Sequence, residues 1–378
     1  MTAGHPALIA VGRWHGRSFL QPSSCRHRCQ VLQPEIWRRW PAPVRRSLRL
    51  GRRPQCKLRF FANSKIVLAF ACLDGQDGVE NSAPEPTLKT VTPAPTPSSD
   101  GIVLRALQEA DLEATLGLSQ AVHWPHRLAD WQFAFRFGSG VVAERDGELV
   151  GCAMSWPWGP AHATLGLVIV DPKCQGRRIG FRLLQVLLAD LQDRSVLLHA
   201  TAEGRGLYER LGFVRTGEVR QHQGLAQSAP LVALEPGWRL RPSDHADAPV
   251  LIELDAAARG MPREALMREL LAASETVVLD QEGVCRGFAM LRRFGRGLII
   301  GPVVAPDAGG AKALIAHLAG ISAGKFLRID IDFDSGLTEW LESLGLMRVD
   351  GPTEMVRGPV PAPVPGVRRY ALATQALG

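Results

Sequence analysis

The chain has 378 residues, 46% hydrophobic and 21% charged, which is enough for two or three globular cores. Its formal charge of +7 arises in the first hundred residues, where 15 Lys and Arg stand against 6 Asp and Glu; the remainder carries 29 against 31. A basic nucleic-acid face is thereby not supported in the globular part, and no apolar run reaches the length of a membrane-spanning helix.

Residues 1–80 are rich in Arg, with Glu35 the single acid before Asp74. A basic, acid-poor leader of this kind resembles an organelle transit peptide, but no helical or strand period lasts, and a disordered extension is the favoured reading. Residues 81–100, with Pro84, Pro86, Pro93, Pro95 and Pro97 among Ser and Thr, read as an extended linker. The seven cysteines are scattered. Cys25 and Cys29 lack a second pair at ligand spacing, so no metal site is expected. An odd count with no secretory signal reads as reduced thiols in a cytoplasmic protein.

Folded structure is predicted from Ile102, whose run Ile102–Arg105 reads as a strand, followed by a helix starting at Glu109 with its acids first. Val141–Glu144 and Leu149–Met154 flank Asp146-Gly147, a strong hairpin signal. Leu165–Val170 is a continuously apolar strand. A turn at Asp171-Pro172 leads into the loop Gln175-Gly-Arg-Arg-Ile-Gly180, and then into a helix with Leu184, Leu187, Leu188 and Leu191 on one stripe. Strand, tight loop and helix N-terminus in that order present unsatisfied backbone N–H groups, as a phosphate-bearing ligand requires. Val196–Thr201 reads as a strand and Leu207–Arg210 as a short helix ended by Gly212.

The pattern then repeats. Residues 105–154 align without a gap on 241–290: Arg105 with Arg241, Asp111 with Asp247, Gly147 with Gly283, Gly151 with Gly287, Ala153-Met154 with Ala289-Met290. Further on, Gly166 answers Gly301 and Leu211-Gly212 answers Leu344-Gly345. Two tandem copies of one α/β unit follow. The second copy has no Gln-Gly-Arg-Arg run, and Trp340 stands at the counterpart of Tyr208. Asp330, Asp332 and Asp334 alternate on one predicted strand; they read as a solvated strand end, with a cation site as the sharper alternative.

Gln175-Gly-Arg-Arg-Ile-Gly180 and Tyr208-Glu-Arg-Leu-Gly-Phe213 together resemble the GNAT superfamily of acyl-CoA-dependent N-acyltransferases, whose Gln-x-x-Gly-x-Gly signature the loop matches at Gln175 and Gly180. It departs from the signature at Arg178, where the family usually has glycine. The resemblance covers 102 to about 219, and more weakly 238–357. It implies an α/β fold (α+β, mixed sheet) in two tandem GNAT-like domains: a catalytic domain at 101–236 and a degenerate one at 237–358. The extension 1–100 precedes them and a flexible Pro-rich tail, 359–378, follows.

The resemblance also implies an acetyl-CoA-dependent N-acetyltransferase working by direct attack of an amine; a non-catalytic acyl-CoA sensor or scaffold is the alternative. Backbone of Gln175, Gly176, Arg177, Arg178, Ile179 and Gly180 would hold the pyrophosphate, and backbone of Val168, Ile169 and Val170 the pantetheine arm. Tyr208 would be the general acid. Relatives use a carboxylate on the strand before the loop as base, but Leu165–Val170 holds none. His199 is the candidate, with His123, His126, His162 and a water relay left open. Trp124, His126, Arg127, Asp130 and Trp131, in a Trp-Pro-His-Arg … Asp-Trp element like that of tandem relatives, would contact the acceptor. That acceptor is a small amine or a peptide N-terminus. No nucleic-acid or membrane partner is expected; a homodimer is allowed.

Overall fold

The computed structural model describes residues 100–378, together with the backbone of a short antiparallel pair, β1 (Phe61–Asn63) and β2 (Ile66–Leu68). The extension and linker predicted over residues 1–100 otherwise lie outside the described residues. The rest of the chain carries one 14-stranded mixed sheet with helices packed against it. Its first copy begins with β3 (Ile102–Ala106), α1 (Leu112–Ala121) and α2 (Leu128–Phe135). It continues through β4 (Ser139–Arg145), β5 (Glu148–Trp158), β6 (His162–Val170), α3 (Ile179–Leu191), β7 (Ser195–Ala200), α4 (Arg205–Arg210) and β8 (Val214–Leu225). The second repeats this order with β9 (Trp238–Pro242), α5 (Ala248–Arg259), α6 (Glu264–Ala273), β10 (Glu275–Gln281), β11 (Val284–Phe294) and β12 (Gly297–Ala305). It then runs α7 (Ala308–Ile321), β13 (Phe326–Asp332), α8 (Thr338–Ser343), β14 (Met347–Asp350), β15 (Thr353–Arg357) and β16 (Arg368–Ala371).

The internal repeat is visible in atoms as well as letters. Arg105 grips Asp111 at 2.7 Å, and its counterpart Arg241 grips Asp247 at 2.7 Å, each locking the first strand to the following helical turn. The hairpin glycines Gly147 and Gly283 both sit at positive φ, +83° and +87°, where a side chain would be strained. In each copy one helix covers one face of the sheet: the leucines of α3 over the first half, and Leu314, Ile315 and Leu318 of α7 over the second. A third core, containing Leu118, Trp131, Met154 and Trp156 from the first copy and Leu251, Met267, Phe288 and Met290 from the second, joins the two.

The copies also exchange strands. In the first half of the sheet the order is β6-β7-β15-β8, so a strand from the second copy lies between two strands of the first. β15 pairs antiparallel with β7 through Glu354 opposite His199, and with the first half of β8 through Glu354 opposite Gly217. Reciprocally, the second half of β8, Val219–Leu225, pairs with β13, while Gln221–Gln223 also pair with β14. Neither half of the sheet is complete without the other copy.

Residues 368–378 correct the reading of 359–378 as a flexible tail. β16 pairs with β12 and β13, and Leu372 and Ala373 are fully buried. Composition suggested a free end because Pro and Gly dominate residues 358–366; the apolar residues beyond them find a place only where two strands of the second copy part. Two of the three aspartates are corrected too. Asp330 is fully buried against Arg328 at 2.8 Å, and Asp332 and Asp334 pair with Arg369 and Arg368. Asp330 and Asp332 are therefore not a solvated strand end, whereas Asp334, exposed in the turn just beyond the strand, fits that reading; each is paired with a guanidinium rather than grouped around a cation.

Candidate active site

β6 and β7 run parallel and pair only through His162, Ala163 and Thr164 with Ser195, Val196 and Leu197; beyond these the strands part. The parting coincides with an irregularity in β6. Its register with β5 shifts between Cys152 opposite Ile169 and Met154 opposite Gly166, and Leu167 sits at φ +51°. A bulge of this kind re-aims the backbone and ends pairing. Val168, Ile169 and Val170 therefore flank an open gap on their β7 side, the arrangement that leaves main-chain groups available to a ligand.

At the far end of that gap lies Gln175–Gly180. Gln175 Nε2 donates to Val170 O at 3.2 Å, tying the loop to the strand end. Gly176 adopts φ +78°, and Gly180 packs so closely that a Cβ there would lie 3.3 Å from Leu207. Arg178, at the N-cap of α3, adopts φ +59°, the left-handed region that glycine takes at lowest cost. The substitution costs backbone strain yet keeps the N–H. No side chain caps α3 and Gln175–Arg178 are exposed, so the positive helix end and its donors face outward.

The second copy differs at both points. Its helix α7 is capped by its own Asp307, which accepts from Gly310 N at 2.8 Å. Its gap between β12 and β13 is filled by β16, with Val303 opposite Ala371 on one side and Ile331 opposite Ala371 on the other. There the gap is closed and the helix end already carries a carboxylate cap.

Tyr208 on α4 is buried in the core beneath α3, with Phe213 edge-to-face at 5.9 Å. Burial pushes its phenol above the ordinary tyrosine range, so it keeps its proton at neutral pH. The His199 side chain is fully buried. Its Nδ1 donates to Gln375 O at 2.7 Å, and Nε2 faces Glu354 Oε2 at 3.5 Å. Burial alone would raise the Glu354 carboxyl, but Arg369, 3.1 Å away, and His199 overcome it and hold the group well below the usual carboxylate range. Glu354 was not legible as a neighbour of His199, since only the strand exchange brings it there.

The acceptor-side residues divide. Trp131 is fully buried, with Nε1 donating to Ser119 Oγ at 3.3 Å, and belongs to the shared core. This corrects its expected place in a pocket wall: Trp131 falls with Ala134 on the buried side of α2. At the start of α2 the Asp130 carboxylate accepts from Arg127 N at 2.9 Å and pairs with the Arg127 guanidinium at 2.7 Å, and it also accepts from Gly295 N at 3.0 Å. Trp124 packs beside His126 with ring centroids 5.8 Å apart. His126 and Asp130 line a small pocket with Phe133, Leu167, Arg292 and Phe294, closed by Thr374, Ala376 and Leu377. Five of the ten lining residues, Ala134 being the tenth, come from the second copy or the final segment, beyond the reach of any local motif.

Burial pushes the His126 imidazole down to about 4; Arg328 adds to this and Asp130 opposes it. Folded His126 is thus neutral where unfolded His126, with a pKa near 6.5, is charged. The unfolded chain binds the extra proton, so stability is lost as pH falls from about 6.5 to about 4 and is level below that, by at most about 3 kcal/mol. Urea unfolding at pH 7, 5 and 4 should show this loss, and His126→Gln should flatten it. A variant with the same pH slope as the wild type would refute the assignment.

Comparison with known proteins agrees with this geometry. Residues 105–213 match the acetyltransferase (GNAT) family, and residues 251–366 match an acetyltransferase (GNAT) domain. The chain is 29% identical over 283 residues to the uncharacterized N-acetyltransferase YitH of Bacillus subtilis, covering 72% of this chain and 97% of that one. In fold it is similar to a GCN5-related N-acetyltransferase from Sphaerobacter thermophilus, with TM-score 0.55 and 16% identity over 70% of this chain and 98% of that one. It is also similar to a tandem GNAT protein from the clavulanic acid biosynthesis pathway, with TM-score 0.51 and 17% identity over 68% and 99%. Among the described residues no helix is long and apolar enough to cross a membrane. With two copies of the fold, both matched, and strands exchanged between them, the chain belongs to the GNAT acetyltransferases as a tandem N-acetyltransferase.

Proposed function

We propose that the chain is an acetyl-CoA-dependent N-acetyltransferase in which only the first copy carries the donor site. The observation that carries this reading is the pairing of an open β6–β7 gap with an uncapped loop and helix end, both missing from the second copy. Backbone N–H groups from Gln175 to Gly180 suit a pyrophosphate, with Arg177 and Arg178 adding charge. The edges of Val168, Ile169 and Val170 suit the amide-bearing pantetheine arm. When bound, the thioester supplies an activated acetyl carbon.

The chain's own residues then manage protons and position. The amine nitrogen forms the new C–N bond as the C–S bond breaks, and Tyr208 holds a proton at its phenolic oxygen for the departing thiolate. His199 is the candidate for the proton the amine gives up. With Nδ1 fixed by Gln375 O, Nε2 is the nitrogen left without a hydrogen-bond partner, and Glu354 stands ready to stabilise the imidazolium. His199 lies behind Gln375 and outside the pocket lining, so the proton from the amine reaches Nε2 through a water.

The lack of a carboxylate on β6 favours a second reading, a sensor that binds acyl-CoA without turnover. Both readings are tested by adding acetyl-CoA at 100 times Kd, where binding should stabilise the fold by about 2.7 kcal/mol. Acetylation of a pooled amine mixture, followed as thiol release, then separates them. Stabilisation without transfer to any amine supports the sensor, and no stabilisation removes both.

A further inference from the structure

Arg292 on β11 is 6% exposed and has no carboxylate within ion-pair distance among the described residues. Its Nη1 and Nη2 donate to Arg293 O and Ala373 O, both at 3.3 Å, the long end for such bonds. Its Nε is buried with no partner. The rings of Phe133 and Phe294 lie 5.1 and 5.2 Å from the guanidinium carbon, which steadies the cation without neutralising it. Burial lowers this guanidinium to about 10, still charged at neutral pH. Asp130, across the same pocket but bound to Arg127, offsets this charge only at a distance; a buried charge left without a direct partner destabilises a fold, and such departures concentrate at functional sites.

Arg292 opens into the pocket that Leu167, at the β6 bulge, bounds on another side. Resting on the donor site proposed above, we infer that the acceptor is a small amine that also bears a carboxylate, the amine lying toward Leu167 and the carboxylate on Arg292. A planar guanidinium fork matches a carboxylate in two hydrogen bonds. His126 Nδ1, buried without a partner in the same pocket, is neutral and can accept from the amine. Thr374, Ala376 and Leu377 form the remaining wall. Arg292 itself holds that segment through Ala373 O, so a carboxylate that takes over Arg292 releases the wall and admits the acceptor. The second copy thus supplies the residue that selects the substrate of the first.

The test pairs acceptors of one skeleton: alanine with ethylamine, and leucine with isopentylamine. The wild type should prefer each amino acid at least tenfold in kcat/KM. Arg292→Gln should abolish the preference, chiefly through KM, while raising Tm because a lone buried charge is gone. Arg292→Lys should keep a weaker preference and serves if the Gln variant does not fold. A separate binding readout needs no turnover: N-acetyl-leucine should raise the Tm of the wild type and not of Arg292→Gln. Equal rates with and without the carboxylate, or a preference that survives Arg292→Gln, overturns the inference while leaving the transferase reading intact. Binding of N-acetyl-leucine through Arg292 in a protein that acetylates nothing would support the pocket and sink the transferase reading. Absence of both binding and preference overturns the inference outright.

Discussion

Residues 101–236 expressed alone are expected to show no cooperative unfolding transition. This segment contains the loop, Tyr208 and His199, and by length it should bury a core. What it lacks is β15, which lies between β7 and β8 and pairs with both. Met355 is in the core beneath α3, and both Met355 and Val356 are fully buried. Each withholds about 1.5–3 kcal/mol when absent. The loss also exposes one edge of β7 and one of β8, two ladders with no replacement partner. The shared core would lose its second-copy half as well, Leu251, Met267, Phe288 and Met290. Against a total stability of about 5–15 kcal/mol this removes the folded state. Co-expression with 237–378 should restore it, because the exchanged strands need proximity rather than covalent continuity. Circular dichroism melts decide the matter, and a cooperative melt of 101–236 within a few degrees of the whole chain would sink the claim.

Tyr208→Phe is expected to lower kcat by about 100-fold or more, the scale of a lost general acid, with acetyl-CoA affinity unchanged. The ring is retained, so its contact with Phe213 and the core beneath α3 should persist and Tm should move little. Because burial raises the phenol above its ordinary value, the wild-type rate should show no alkaline loss from this group below about pH 10. Turnover within twofold of wild type would end the acid assignment. A 100-fold loss with a large drop in Tm would mark a structural residue instead.

The donor loop and the repeat were legible in the sequence because both are local. Gln175–Gly180 sits between an apolar strand and a helix whose leucines recur at helical spacing, and all four named leucines are buried. The aligned pairs Arg105–Asp111 and Arg241–Asp247 make the same contact. Arg178 was visible as a departure, but its positive φ at the helix N-cap was not. The acceptor side was read from one element, Trp124 to Trp131, and that element proved divided between core and pocket. A helix of eight residues carries both faces, and the sequence does not say which of two neighbouring layers each face meets.

The sequence by itself determined that one αβ unit occurs twice and that only the first retains the glycine loop and the tyrosine. These are properties of spacing within stretches of some forty residues, which local sterics and periodicity control. The tertiary structure alone decided which strands pair, that β15 and β8 are exchanged, and that β16 closes the gap in the second copy. It also decided that Glu354 meets His199 and that Arg292 meets Leu167 across the pocket. Strand pairing and pocket assembly join residues far apart in the chain through backbone hydrogen bonds common to every residue type. The letters record which side chains are buried, while the partner across the ladder is chosen by the whole fold.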